Sequence, residues 1–187
     1  VLARLQVGLA APDIDIDVAK LQVDRLIVEA AVAGERQEAR ITGKVAIADR
    51  RAQVTANAET VGASAKGDKL ALILDAVPEA NRLAIDLDIN APQGGVLAAM
   101  GGFKEPLTAK LSGKGDWKAW NGTLTGNLGT APLARLNLTA RDGTFTAKGT
   151  AQPSRLVAAG PVAGLLGTET AIDVTGRLAE RNIDLVG

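Results

Sequence analysis

Apolar and polar residues alternate along nearly the whole chain. Between Arg82 and Asn90, Leu83, Ile85, Leu87 and Ile89 share one parity, and Ala84, Asp86, Asp88 and Asn90 the other. A period of two is what a β-strand with one apolar and one polar face requires. Pro92 ends the run, because proline donates nothing to a ladder. Val96-Leu97-Ala98-Ala99-Met100 then breaks the alternation between Gly94-Gly95 and Gly101-Gly102, which predicts a helix of about two turns at most. Alternation resumes at Leu107, Ala109, Leu111 and Gly113, and again at Trp120, Gly122, Leu124, Gly126 and Leu128.

The same alternation extends to both sides. Ala3, Leu5, Val7 and Leu9 predict a first strand, and Ile14, Ile16 and Val18 a second. Leu21 and Val23 have one parity while Leu26, Val28, Ala30 and Val32 have the other, so a bulge or break is expected at Asp24-Arg25. Gly34-Glu35-Arg36 reads as a turn. Strands follow through Ile41–Ile47, Ala52–Ala58 and Leu70–Leu74, with Gly67-Asp68 turning into the last of these. After Gly129 come Ala134–Ala140 and Phe145–Ala151, joined by Asp142-Gly143, a dipeptide suited to a two-residue hairpin turn. Ser154 is placed to cap a second apolar segment, Leu156 to Leu166, which Pro161 limits to short pieces of helix. Ile172–Leu178 and Ile183–Val186 complete the series. The expected fold is all-β: a long antiparallel meander of about a dozen strands with short helical inserts near 93–101 and 154–166. The inserts mark a weak internal repeat of about 60 residues, since Ala91 and Ala151 play the same part. No linker composition appears, so residues 1–187 read as one continuous unit.

Composition sharpens this picture. Apolar residues are 47% of the chain but aromatics only 2%, so Ala, Val, Leu and Ile must supply almost all of any core. A smooth aliphatic surface suits a tube or groove for an alkyl ligand. Basic and acidic residues balance at 21 each, and no basic stripe exists to attract nucleic acid. Cysteine is absent, which is compatible with an oxidising compartment. No apolar run approaches the ~20 residues of a membrane-spanning helix. The chain starts at Val1 inside an alternating pattern, as expected of a piece of a longer protein.

Chemistry-bearing constellations are weak. Asp13, Asp15 and Asp17 are spaced like the start of a Ca²⁺ loop, but Val18 and Asp24 stand where glycine and glutamate belong. No metal or other cofactor is expected. Asp86 and Asp88 read as a solvated strand face. Gly94-Gly95 and Gly113-Lys114-Gly115 lack phosphate-loop spacing and read as turn or bulge glycines. Without His or Cys the usual nucleophile–base pairs are missing, and Ser112-x-Lys114 lacks the helical spacing of a Ser–Lys dyad. Trp117 and Trp120 are the only indoles, suited to capping a sheet end or to touching a partner or membrane edge. No catalytic residues are expected.

Ala91-Pro92-Gln93-Gly94-Gly95 with its small helix, Leu111-Ser-Gly-Lys-Gly-Asp-Trp117, Trp120-Asn-Gly-Thr-Leu124 and the long strands around them resemble the TamB family. That family is the inner-membrane-anchored subunit of the bacterial translocation and assembly module. The similarity covers most of the chain, more loosely before Leu70. No membrane anchor or terminal assembly domain accompanies it, so it would concern an internal segment. The resemblance implies a long curled sheet (a β-groove or β-taco) related to AsmA-like and bridge-like lipid transfer proteins. It implies a periplasmic location, a non-enzymatic part in phospholipid transport or outer-membrane protein assembly, and an outer-membrane partner of the Omp85 type bound through another part of the full-length protein. On this reading the groove lining is Leu70, Leu72, Leu74, Leu83, Ile85, Leu87, Ile89, Leu111, Leu124, Leu128, Leu136, Leu138, Ile172 and Val174, and phospholipid acyl chains are the ligand. The alternative is a β-sandwich or solenoid scaffold whose two sheets cover each other, serving a structural or partner-binding role. A groove leaves a continuous uncovered aliphatic strip and a sandwich leaves none.

Overall fold

The computed structural model describes residues 6–8, 16–48, 51–77, 80–116, 118–156, 168–179 and 182–186. Twelve strands form one antiparallel sheet: β1 (Gln6–Gly8), β2 (Ile16–Val28), β3 (Gln37–Ala48), β4 (Arg51–Val61), β5 (Lys69–Val77), β6 (Arg82–Ala91), β7 (Leu107–Gly115), β8 (Ala119–Leu128), β9 (Ala131–Arg141), β10 (Thr144–Ala151), β11 (Thr170–Ala179) and β12 (Asn182–Val186). From β2 to β12 each strand pairs with the next, and β1 pairs with β12. The sheet is a curled groove and is not closed, with β1 and β2 as its edges. Two short helices, α1 (Ala30–Ala33) and α2 (Val96–Gly101), accompany it.

Turns obey local chemistry. Asp142 and Gly143 both have positive φ, 48° and 78°, as the two-residue turn between β9 and β10 needs. The β7–β8 turn is held by Asp116, whose carboxylate accepts the backbone N–H of Ala119 at 2.6 Å and of Lys118 at 2.7 Å. These two bonds favour the charged form and hold the Asp116 carboxyl below its ordinary pKa.

The apolar run at 93–101 forms the helix its sequence predicts. Gly95 provides the extended N-terminal residue. Gly102, at φ 71°, ends the helix in the left-handed conformation, and the N–H of Phe103 returns to the carbonyl of Ala98 at 2.8 Å. The matching segment after β10 begins as a 3₁₀ turn at Pro153–Leu156, and the remainder of the expected helix lies outside the described residues. Where alternation predicts a strand running on through Ala30 and Val32, the chain instead forms α1. Alanine favours helix, and Gly34 at φ 78° closes the turn. The expected bulge at Asp24-Arg25 is present, together with a second one at Ala19-Lys20. The expectation of turn or bulge glycines fails at Gly113 and Gly115: both sit inside β7, which pairs with β6 and β8 without a register shift.

In a meander, alternate connections emerge at the same end. The β2–β3, β4–β5 and β6–β7 connections therefore share an end, and there they form a small core. Ala33, Ala39, Ala91, Val96 and Ala98 are buried in it. Gln37, fully buried, donates from Nε2 to the carbonyl of Gly94 at 3.0 Å. Three strand spacings, about 14 Å on a flat sheet, separate β3 from β6. Gln37 shares its parity with Ile41 and Val45, so the sheet bends toward its apolar face, and α1 touches α2 across the bend.

Asp68 completes this end. It is 3% exposed, and its carboxylate accepts the N–H of Leu97 at 2.8 Å and the hydroxyl of Thr60 at 3.3 Å. A buried carboxylate is tolerable only with such donors. It caps the start of α2 from a distant loop, where α2 has no side-chain cap of its own. Asp68→Ala strands the Leu97 N–H and should cost about 1–3 kcal/mol. Urea unfolding measures that loss, and hydrogen exchange should speed up at 96–101 before it does in the central strands. Asp116 yields a second expectation. Its folded-state pKa lies below the unfolded value of about 3.9, so its contribution is full above that pH and is lost as pH falls through the folded value. The melting temperature of Asp116→Asn should therefore fall less between pH 7 and the acid range than that of the unmodified protein. An equal fall in both would show that the turn carboxylate contributes nothing.

Candidate functional site: the apolar face

Strand register aligns the apolar parity of each strand into rows that cross the sheet. One row runs Leu21, Gly43, Ala56, Leu72, Leu87, Leu111, Leu124, Leu136, Gly149, Ile172. Beside it runs Val18, Val45, Val54, Leu74, Ile85, Gly113, Gly122, Leu138, Ala147, Val174. On the other side lies Val23, Ile41, Ala58, Leu70, Ile89, Ala109, Gly126, Ala134, Ala151. None of these residues is ionisable, and the three rows form one uncharged surface ten strands wide at its broadest.

All fourteen residues expected to line the groove lie on this face. Thirteen are half-buried. Leu128 differs. At 4% exposure it is buried beside Leu107 and Ala131, so it belongs to the packed end of the sheet rather than to an open lining. The other thirteen owe their partial exposure to the lack of a covering layer. Outside the sheet, the only regular elements among the described residues are α1, α2 and the turn at 153–156.

The opposite face is polar and cross-braced. Asp86 accepts the hydroxyl of Ser112 at 2.6 Å, and Lys110 reaches Asp88 at 3.1 Å. Lys148 pairs with Asp173 at 3.1 Å, and Arg82 with Asp75. Arg82 first and Gln53 second hold the Asp75 carboxyl below its ordinary pKa. These exposed pairs each contribute little to stability. Their consequence is directional: they keep Asp86 and Asp88 on the outside and leave the inner face apolar.

Trp120 shapes one region of that inner face. A Cβ on Gly113 or Gly122 would overlap the indole, so the ring lies over these two glycines of β7 and β8. Next to it is a depression of about 390 Å³ lined by Trp120, Leu138, Phe145, Ala147, Val174 and Gly176. Phe145 is 45% exposed there. Trp120 thus packs along the sheet face, in place of the expected cap on a sheet end, while Trp117 lies outside the described residues. Sequence reasoning missed the structural parts of Gln37, Thr60 and Asp68. Their only signal is polarity at apolar-parity or turn positions. Of the aspartates considered for a Ca²⁺ loop, Asp17 sits on β2 while Asp13 and Asp15 lie outside the described residues. Among the described residues no cluster of acidic side chains is arranged to hold a metal ion, and no helix is long and apolar enough to cross a membrane.

Fold and site define a one-layered antiparallel groove with an aliphatic inner face. No protein family matches the chain, and neither a curated protein nor a solved structure is significantly similar to it.

The indole position is directly testable. With Trp117→Phe as background, Gly113→Val should push Trp120 off the floor and move its emission to longer wavelengths. Gly126→Ala should leave the spectrum in place, because a Cβ there meets its nearest neighbour at 3.6 Å, an ordinary contact. Equal spectra for the two variants would contradict the packing.

Proposed function

We propose that this chain is a non-enzymatic lipid-conduit segment, whose apolar groove carries phospholipid acyl chains. The observation that carries the reading is the uncharged, largely half-buried aliphatic surface running across ten strands, over which no second sheet lies among the described residues. Leaving that much apolar area against water is unfavourable by about 25 cal/mol per Å². An acyl chain laid along the rows removes that water while needing no hydrogen bonds from the wall. Ala and Gly interspersed with Leu, Ile and Val along each row make a shallow track, which suits passage better than retention.

The resemblance to the TamB family supports the setting we propose: the periplasm, as part of an inner-membrane-anchored protein, between the inner and outer membranes. Support of outer-membrane protein assembly through an Omp85-type partner is proposed on the same ground.

Leu87→Asp tests the reading. Leu87 sits near the centre of a ten-residue row, between Leu72 and Leu111. In an open groove the new carboxylate reaches water, so the melting temperature should fall by only a few degrees. A lining about ten strands long at ~4.8 Å per strand extends about 45 Å, and one charge interrupts it. Crosslinking to a photoactivatable phospholipid should fall at least severalfold. In a covered sandwich the same substitution buries an unpaired charge and costs several kcal/mol. If Leu87→Asp unfolds the chain and the unmodified protein never crosslinks to lipid or retains it in native mass spectrometry, the scaffold reading replaces the conduit.

A further inference from the structure

We propose that the β2 edge is a self-association surface, on which a second copy of this chain pairs antiparallel through its own β2, centred on Gln22. β2 spans thirteen residues, and among the described residues it pairs with β3 alone. Its outer edge thus presents a long row of backbone donors and acceptors, a template for another strand.

The content of β2 selects the partner. Its two bulges, at Ala19-Lys20 and Asp24-Arg25, lie at equal distances on either side of Gln22. Each puts two residues of β2 opposite one of β3, so the apolar parity is Ile16, Val18, Leu21, Val23, Leu26, Val28. That series is symmetric about Gln22. Antiparallel pairing of two copies about Gln22 places Leu21 against Val23, Val18 against Leu26 and Ile16 against Val28, every pair on the apolar face. On the polar face Lys20 of each copy meets Asp24 of the other. A lysine on a free edge ordinarily discourages pairing. Here the register gives it a carboxylate, and twice over, because the contact is two-fold symmetric. Arg25 is already engaged by Glu38 at 2.6 Å, and Asp24 accepts the Gln22 amide on Oδ1 at 2.6 Å, which leaves its other oxygen to the lysine. Leu21 and Leu26, 43% and 42% exposed, are covered from one side by the added strand. The two-fold axis stands normal to the sheet, so both apolar faces lie on the same side and the aliphatic surface passes unbroken from one copy to the other.

This inference stands apart from the lipid reading, since a dimer is possible with or without a ligand. The chain has no cysteine, so Gln22→Cys introduces a single thiol. Directly opposed residues of an antiparallel pair have Cα atoms about 4.5–5.5 Å apart, within disulfide range. Under mild oxidation Gln22→Cys should give a covalent dimer, and Thr123→Cys, on the polar face of the central strand β8, should not. Sedimentation equilibrium should show a dimer whose dissociation constant rises about tenfold in Lys20→Asp, where two attractive pairs become repulsive. Lys20→Asp/Asp24→Lys should restore it, while the melting temperatures of all three remain alike, since both side chains are exposed. A monomer at all concentrations, a Gln22→Cys dimer no faster than the Thr123→Cys control, or a charge swap that fails to rescue would each overturn the proposal.

Discussion

A single sheet with one apolar face and, among the described residues, no second layer is the constraint from which the rest of this structure follows. In a sandwich, two sheets hide each other's apolar sides. Here, among the described residues, the sheet has its own curvature, two short helices and the turn at 153–156 to work with. Curling brings the rows of Leu, Ile and Val toward one another and shields them in part, which is why they are half-buried and not covered. The charged rungs of the outer face tolerate the curl, because they lie on the convex side in water and gain or lose little by small changes in spacing.

At the end of the sheet where α1 and α2 lie, bare curvature gives way to packing. These helices, neither longer than six residues, are too short to persist alone. They exist because the sheet bends and places them against each other, and because Asp68, from a distant loop, accepts the Leu97 N–H at the start of α2. Gln37, on β3, and Asp68, in the loop before β5, act as bolts to the α2 region, through Gln37 Nε2 to the Gly94 carbonyl and the Asp68 carboxylate to the Leu97 N–H. Met100, 70% exposed, marks the solvent side of α2, so the plug is only one layer thick.

The proposed conduit and the proposed edge pairing are two outlets for the same surplus of apolar surface. An acyl chain along the rows would dry the floor, and an added strand at β2 would extend it and satisfy backbone groups at the sheet's edge. The protein's distinctive chemistry is the absence of charge along a path, achieved by sending every aspartate, glutamate, lysine and arginine of the central strands to the opposite face.

The strands, their parity and the placement of α2 were determined by the sequence itself. A period of two needs only local backbone geometry, and Gly94 and Gly102, both at φ 71°, stop and start elements through their own dihedral freedom. Thus Leu70, Leu87 and Val174 fall on one face by counting alone. What counting does not reach is anything decided by neighbours distant in the chain. Alanine-rich 30–33 alternates with its surroundings yet folds as a helix because α2 waits beside it across the curl. Gly113 resembles a turn residue until the Trp120 indole of the next strand is laid over it. Asp68 reads as a turn aspartate, and only the fold brings the Leu97 N–H to it. The two bulges of β2 appear as slips of parity, but their symmetry about Gln22 acquires meaning only once β2 stands at an edge. In each case the deciding contact joins residues whose separation along the chain carries no period, and so it leaves no mark in the local pattern.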